Sequence, residues 1–593
     1  MIVPMKKYSF LVYHEDYPDF LEEIQQLGVL DILERRAVTD PALADRLLLI
    51  KQVRNTLKAL AARKTAIPSS EPGATDGLRV FETVNALDSE TDRLRHQLTI
   101  LRKAYLQAAP WGIFQPDLIR RLKEAGVGIR LFACTDKKFD PLWPEKYPLA
   151  VISSSQGKRY FAVFQKDGEI PGIDAEELKL PDGPVDGVMQ EQKQVSDRIR
   201  QIGHQLDEIA GRDIPALTSS LYQLQNEADH TKARLQTLRE ADEKLMIIEG
   251  WIPADREKTL TSIFDVKSYV YFSGKPDKKE KPPVLLRNNA FAKLFEPIGS
   301  LFSLPDYHEL DLTAYFAPFF MMFFGFCLGD AGYGLLFILG ATIMKMTMGQ
   351  KTAKYRSILT LAQWLGLGTV IFGILTGTFF GIQLLEVEQL GNFRKIMLNN
   401  DKAFNLALIL GAIQIIAGIA IRAVNQFRQN GPLYSLSSIG WILLLLGLAD
   451  TFLLKMTGVF GQILIYVSLF LIVFFSDPGL GIFGRIGKGL WDLYGITGVF
   501  GDLLSYIRLF ALGASSAILG FVINDIALQL LSVGPVIGHL LFVVFLLIGH
   551  ALVIAISTLG AFVHPMRLTF VEFYKNSGFA GGGKKYDPFS VKK

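Results

Sequence analysis

Arg508 stands in a weakly charged, mostly apolar stretch, Trp491 to Leu531, within the run GDLLSYIRLFALGASS at 501–516. A charge at the bilayer centre costs roughly 2.5–3.5 kcal/mol even on the lenient insertion scale, so by default it marks an ion or proton pathway. On a helix it shares a face with Leu504, Ser505, Ala511, Leu512 and Ser515, and the small residues Gly513 to Ala517 let another helix come close. The expected chemistry is a fixed cation on an apolar wall. The competing expectation is a buried arginine paired with Asp502 or with another span's acid. A second arginine, Arg567, follows His564 and Pro565 near the end of the next apolar segment, where snorkelling to the interface is an equal expectation. His550, His564 and Glu572 are placed on that same helix, each either a satisfied polar residue or a supporting channel group. Asp330, in the run GDAGYG, reads first as a helix-break residue.

Two unlike halves position these residues. The chain has 593 residues, 50% of them hydrophobic, and its mean hydropathy of +0.27 averages over both parts. Residues 1–305 form a charge-rich soluble arm; residues 306–593 carry repeated apolar stretches of membrane-spanning length. The net charge of +4 is interleaved with acids and forms no sustained block, which argues against nucleic-acid binding. Only two cysteines occur, Cys134 and Cys327, one in each half, so no disulfide framework or CxxC metal site is expected. Met1 to Phe10 lacks the apolar core of a signal peptide, and the soluble half is expected on the reducing, cytoplasmic side.

In that half Lys7–Tyr13, Pro18–Leu27 and Val29–Leu33 read as a small β-α-β unit, with further strands at Val127–Cys134, Leu149–Ser153 and Arg159–Phe164. Leu43 to Leu60 and Val84 to Tyr105 repeat apolar residues at three and four, on either side of a PSSEPG turn, as do Val195 to Ile209 and Leu221 to Leu238 around Gly211 and Pro215. These are two helical hairpins, either packed on the lobes or forming one extended antiparallel stalk. Met246–Pro253 and Lys267–Phe272 would supply the strands of a second lobe. The fold class is therefore an α+β dumbbell, two α/β lobes joined by long coiled coil, plus an all-α membrane domain.

Seven apolar segments follow: Leu312–Met344, Ile358–Leu385, Phe404–Ile421, Ile439–Leu454, Ile463–Phe475, Trp491–Leu531 and Val536–Phe570. Lys345, Lys351, Lys354 and Arg356, then Arg422 and Arg428, Arg485 and Lys488, and finally Lys584, Lys585, Lys592 and Lys593 mark alternate loops as cytoplasmic. With a cytoplasmic arm as well, the first segment must cross twice, bending at Gly329–Gly334, which gives eight crossings with both termini cytoplasmic and Glu386–Asn400 outside. The last two segments are too long for an upright span, since about forty residues reach roughly 60 Å against about 30 Å of hydrocarbon. They are expected to be long, tilted helices.

No covalent chemistry is indicated. GLGIFG at 479–484 matches GxGxxG by chance, at a membrane boundary without a βαβ unit, and GKG at 487–489 lacks the rest of a P-loop.

The combined runs resemble one family. GDLLSYIRLFALG at 501–513, Gly549-His550, VHPMRL at 563–568, Val571-Glu572 and GGGKKYDPF at 581–589, with FGILTGTFFG at 372–381, FGFCLGDAGYG at 324–334, PVLLRN at 283–288 and EGWIP at 249–253, look like the membrane stator subunit of V/A-type rotary ATPases, subunit a or subunit I. The resemblance runs in order over nearly the whole chain. Departures are Asp311-Leu312-Thr313 where the family has Asp-Pro-Thr, Val553 in place of a common asparagine, and Ser557 in place of an acid found in some relatives.

The resemblance implies a non-catalytic stator without cofactor or metal. Its arm would hold peripheral-stalk E/G-type subunits and meet a central-stalk d/C-type subunit. Its tilted helices would lie in a prokaryotic plasma membrane against a rotating ring of c/K subunits, each presenting one carboxylate. Arg508 would displace H+ or Na+ from that carboxylate between two offset half-channels, Arg567 would support it, and Ser505, Ser515, His550, His564 and Glu572 are candidate supporting polar groups. A guanidinium that stays protonated favours the ionised carboxylate and blocks direct leakage. The alternatives are a secondary transporter or channel with a coiled-coil regulatory domain, against which no repeat divides the membrane region, and a scaffold that carries no ions.

Overall fold

The structure is a computed structural model; it describes residues 1–35, 40–63, 76–155, 157–166, 172–179, 185–277, 280–347, 355–384, 397–451 and 458–592. The PSSEPG turn, Lys351, Lys354, Lys593 and most of the 386–400 loop lie outside the described residues. By packing, the chain divides into two compact units. One comprises Met1–Tyr17, Val29–Leu33 and Leu238–Phe589; the other comprises Pro18–Gly28, Glu34–Thr237 and Ser590–Lys593.

In chain order the soluble elements are β1 (Met5–Tyr13), α1 (Tyr17–Leu27), β2 (Asp31–Ile32), α2 (Pro41–Ala61), α3 (Gly77–Ala108), β3 (Val127–Thr135), β4 (Leu149–Ser155), β5 (Lys158–Lys166), β6 (Glu176–Leu178), α4 (Val185–Arg212), α5 (Ile214–Gln236), β7 (Leu238–Glu240), β8 (Leu245–Pro253) and β9 (Val270–Gly274). Asp40 and Asp76 start α2 and α3 by accepting from the amides of Ala42 and Leu78, satisfying donors that have no partner in the first turn. The apolar stripes are buried between the hairpins rather than within them. α2 packs on α5 and α3 on α4, while α2 and α3 scarcely touch. Leu43, Ile50, Val53 and Leu60 thus share one core with Val84, Leu94, Ile202, Leu217 and Leu224. Of the two arrangements expected for the hairpins, separate packing of each one on a lobe is corrected there: an apolar stripe packs where a complementary stripe faces it, and chain neighbours have no priority. The same unit holds the sheet β4-β5-β3-β6.

The other unit holds a sheet of order β2-β8-β1-β9, with β7 beside β8. The expected β-α-β pairing is corrected, because β8 lies between β1 and β2 and runs antiparallel to both. Residues 245–253 and 270–274 accordingly complete the first sheet instead of building a second lobe. β1 and β8 register over nine residues, Met5 opposite Pro253 to Tyr13 opposite Leu245, and Tyr8, Phe10, Phe264 and Tyr271 interlock beside them with ring centroids 5.1–6.2 Å apart. Such aromatic burial outweighs proximity in sequence.

The apolar part contains α6 (Thr313–Leu328), α7 (Ala331–Thr347), α8 (Arg356–Thr376), a short hairpin β10 (Thr378–Phe379) and β11 (Ile382–Gln383), α9 (Asn400–Asn430), α10 (Pro432–Ala449), α11 (Gly458–Phe475), α12 (Ile482–Tyr494), α13 (Ile496–Leu504), α14 (Ile507–Leu530), α15 (Ile537–Arg567), a π-helical segment Leu568–Phe573 and α16 (Tyr574–Ser577). Among the described residues five helices are long and apolar enough to cross a membrane, and three more apolar helices are shorter. The chain is a membrane protein. α6 is central, carrying Phe316, Phe320, Phe323 and Phe324 into the core against α8, α14 and α15.

Asp311, buried just before α6, accepts from the Thr313 amide (2.9 Å) and from Asn288 Nδ2 (2.6 Å). Burial pushes its carboxyl up, but the bonds from Thr313 and Asn288 prevail and hold it below the ordinary value. A depressed folded value stabilises the fold above the unfolded value, about 3.9, and that contribution is lost as pH falls through the folded one. Asp311→Asn is therefore expected to lower thermal stability at pH 7 and to cost progressively less as pH falls below 4. Melting curves between pH 3 and 7 check this, and a pH-independent loss would exclude it.

Candidate functional site

The stretch around Arg508 belongs to one long helical span, Ile482–Val533, with a two-residue turn at Ser505 and Tyr506 inside it. α13 stops at Leu504 and α14 begins at Ile507, with the Ser505 hydroxyl bonded back to the Gly501 carbonyl at 3.1 Å. Such back-bonding competes with the helix ladder. Tyr506 then turns into the core: its ring meets α9 at Gly411, where a Cβ would stand 2.4 Å from it, and its hydroxyl donates to Gln414 at 2.7 Å. Ser505 (φ −60°, ψ −23°) and Tyr506 (φ −75°, ψ −14°) nevertheless keep right-handed helical backbone, so the chain runs on through the turn. Ala511, Leu512 and Ser515 remain on α14, with Ser515 exposed and Ser516 buried.

Asp502 is not the partner of Arg508. It is held by Lys575 (3.1 Å) and by Asn576 Nδ2 (2.9 Å). Arg508 forms no ion pair among the described residues, and its Nη1 is buried without a hydrogen-bond partner. Arg567, at the end of α15, is exposed and likewise makes no ion pair there. Both guanidinium groups act electrostatically on Glu572 and His564. Glu572 is 2% exposed, and its Oε2, with His564 Nδ1, Thr558 Oγ1 and Thr569 Oγ1, is also without a partner. Buried polar atoms of this kind are unusual and call for water or an incoming group. Glu572 was expected on the same helix as His550 and His564, and it lies on the continuation of that helical span, Ile537–Ser577, in a π-helical segment where the turn widens after Pro565 removes a backbone donor.

His550 stands apart from that cluster. It is buried, with Nδ1 2.7 Å from the Tyr333 hydroxyl and Nε2 3.0 Å from Asn524 Oδ1. Ser516 and Ser557 bond across α14 and α15 at 3.0 Å. A cavity of about 270 Å³ flanks α14, walled by Phe510, Gly513, Ala514 and Ala517 and by the polar Thr376, Thr378, Asn399 and Asn400. Sequence reasoning missed Thr569, Asn524 and this polar wall. Only Asn524, a polar residue inside an apolar helix, carried a signal that could have found it.

Residues 181–380 and 498–591 match the V-type ATPase 116kDa subunit family. The second matched stretch contains Arg508 and Arg567 and, with them, the orphaned polar groups of Thr558, His564, Thr569 and Glu572. The chain belongs to this family. In the first stretch the family match takes in Asp330, Tyr333 and Phe380, so the two stretches meet in the fold through the Tyr333–His550 bond. Among relatives of this V-type ATPase subunit, the chain is 31% identical over 385 residues to A-type ATP synthase subunit I of Methanocaldococcus jannaschii, covering 58% of this chain and 55% of that one. It is 25% identical over 624 residues to V-type ATP synthase subunit I of Borreliella burgdorferi, covering 100% of both. A crystal structure of the cytoplasmic N-terminal domain of subunit I, homolog of subunit a, of V-ATPase aligns with 46% of this chain at 15% identity and a TM-score of 0.21, too low to carry an argument.

Proposed function

We propose that this chain is the non-catalytic stator subunit of a V/A-type rotary ATPase. It forms the ion half-channels against a rotating c/K ring and couples H+ or Na+ translocation to ATP hydrolysis or synthesis. The observation that carries this reading is the unpaired, half-buried Arg508 on a helix whose own chain covers it poorly. The apolar windows of Ile482–Val533 and Ile537–Ser577 are only 22% and 17% buried, against 33–39% for the other three long spans. An apolar face left open beside an uncompensated guanidinium suits a partner that brings a carboxylate. Each ring subunit supplies one, and Arg508 holds it ionised while the ion exchanges. Arg567 supports it from α15. Ser505, His564 and Glu572 line the approach on one side, and the polar-walled cavity beside α14 supports a second, offset approach; Ser515 faces the ring, and His550 supports the helices.

The arm, residues 1–305, is read as a dumbbell whose coiled coil anchors E/G-type peripheral stalks and meets a d/C-type central-stalk subunit. Packing of α2 on α5 and α3 on α4 supports one antiparallel stalk. Residues 306–593 form the translocating domain with eight crossings, the five long and three short apolar helices, in a prokaryotic plasma membrane with both termini cytoplasmic. Purification of the native complex tests the assembly: ring, stalk and ATP-hydrolysing chains are expected to co-elute, and a chain that elutes without them would sink the reading. For topology, a cysteine replacing exposed Lys402 at the start of α9 is expected to react with an impermeant reagent in sealed cells. Reaction only after permeabilisation would invert the arrangement.

A further inference from the structure

The Asp330 carboxylate is 1% exposed and accepts four backbone N–H groups. Oδ1 takes those of Gly332 (2.8 Å), Tyr333 (3.2 Å) and Phe380 (2.8 Å), and Oδ2 takes that of Gly381 (2.8 Å). It fastens the corner between α6 and α7 to the β10–β11 hairpin, which the hydroxyls of Thr376 and Thr378 also tie to the Gly329 carbonyl. Gly381, at φ +71°, lies against α14 backbone to backbone, where a Cβ would stand 2.3 Å from the Gly520 carbonyl carbon. One turn along α14, Asn524 Nδ2 donates to the Phe380 carbonyl at 2.7 Å. With its amide nitrogen so placed, Asn524 turns Oδ1 to the imidazole, which assigns the proton to His550 Nε2 and leaves Nδ1 to accept from the Tyr333 hydroxyl. The bonds run in one direction, from α7 through α15 to α14, and end on a carbonyl. Tyr333 and Asp330 are the titratable groups around this imidazole among the described residues.

We infer that Asp330 and the chain Tyr333–His550–Asn524 are a positioning clamp. It locks α14 and α15 to α7 in one register, so that Arg508 and Arg567 keep their places under load, and it moves no ion itself. The inference rests on the stator reading. A guanidinium attracted to one passing carboxylate after another pulls on its helix, and a helix held only by apolar contacts can slide. Two polar rungs between α14 and α15, Asn524–His550 and Ser516–Ser557, oppose such slippage, because each breaks before a new partner is in reach. Gly513, seated on the Phe326 carbonyl, holds α14 close to α6 as well. A relay role does not suit His550: both nitrogens are engaged, and the path onward ends at an amide.

The test uses the intact complex in sealed vesicles, with variants compared at matched assembly. His550→Leu and Asn524→Leu are expected to lower the ions moved per ATP at least fivefold while ATP hydrolysis continues, with the pH profile of the remaining uptake unmoved. His550→Gln, which keeps an N–H for Asn524 but cannot titrate, is expected to retain at least half the wild-type ratio. Asp330→Asn turns a donor towards the Gly381 amide and is expected to match the leucine variants; it also serves where those fail to assemble. A displaced pH profile, or equal losses for His550→Gln and His550→Leu, would make His550 a relay and overturn the clamp. Lower assembly with an unchanged ion-to-ATP ratio overturns it too, leaving an ordinary fold contact. Failure of the stator reading is read separately, as wild-type uptake by Arg508→Ala.

Discussion

Arg508→Ala is expected to abolish ATP-driven ion uptake while the complex still assembles. A ring carboxylate entering the interface loses water, and it binds its ion again unless a fixed cation takes the ion's place. At an effective dielectric near 20, a pair 4 Å apart is worth about 4 kcal/mol before desolvation. Arg508 is free to make that pair because Asp502 is already held by Lys575 and Asn576. Without the guanidinium the carboxylate stays neutralised and cannot release its ion. Arg508→Lys is expected to be nearly as damaging, because an ammonium is compact, strongly hydrated and able to lose its proton when buried. Arg567→Ala should lower uptake less, since Arg567 is exposed at the end of α15. Ion uptake into vesicles at matched assembly decides all three, and wild-type uptake by Arg508→Ala would favour a scaffold that carries no ions.

Gly325→Val is expected to prevent the membrane domain from packing. A Cβ at this position would stand 2.4 Å from the Gly368 carbonyl carbon and oxygen, and one on Gly368 would stand 2.7 Å from the Met321 carbonyl oxygen. The backbones of α6 and α8 touch there, so no side chain can rotate away. Overpacking ordinarily costs about 1–3 kcal/mol and more where nothing can yield. Any shift of α6 also carries the Phe326 carbonyl away from Gly513, unseating the helix of Arg508. Gly340→Ala on α7 is the control, since nothing lies within 4 Å of its Cβ position. Complex yield and thermal unfolding in detergent measure the contrast, and equal stability of the two variants would disprove the close approach.

The two corrections in the soluble half have a common origin. Heptad spacing identified α2 to α5 as amphipathic, but each stripe can pack equally well on several others. Likewise β1 could be recognised as a strand, while its nine-residue pairing with β8 required two segments more than two hundred positions apart to meet. The turn before Arg508 was hidden for another reason: nothing in LLSYIRLF forbids a helix. It forms because Tyr506 has a seat on Gly411 and Gln414 of a different helix.

By itself the sequence determined which residues are anomalous. A guanidinium in an apolar run, a carboxylate in a glycine-rich bend and a histidine in a long apolar helix each stand out, because solvation cost depends on residue type and local composition. Only the tertiary structure decided what became of each one. Asp330 is consumed by four amides and His550 by two side chains, whereas Arg508 and Glu572 keep unpartnered atoms. The physical reason is that a hydrogen bond spans about 3 Å, and the partners that satisfy or spare a buried polar group come from segments as distant as Tyr333 and His550.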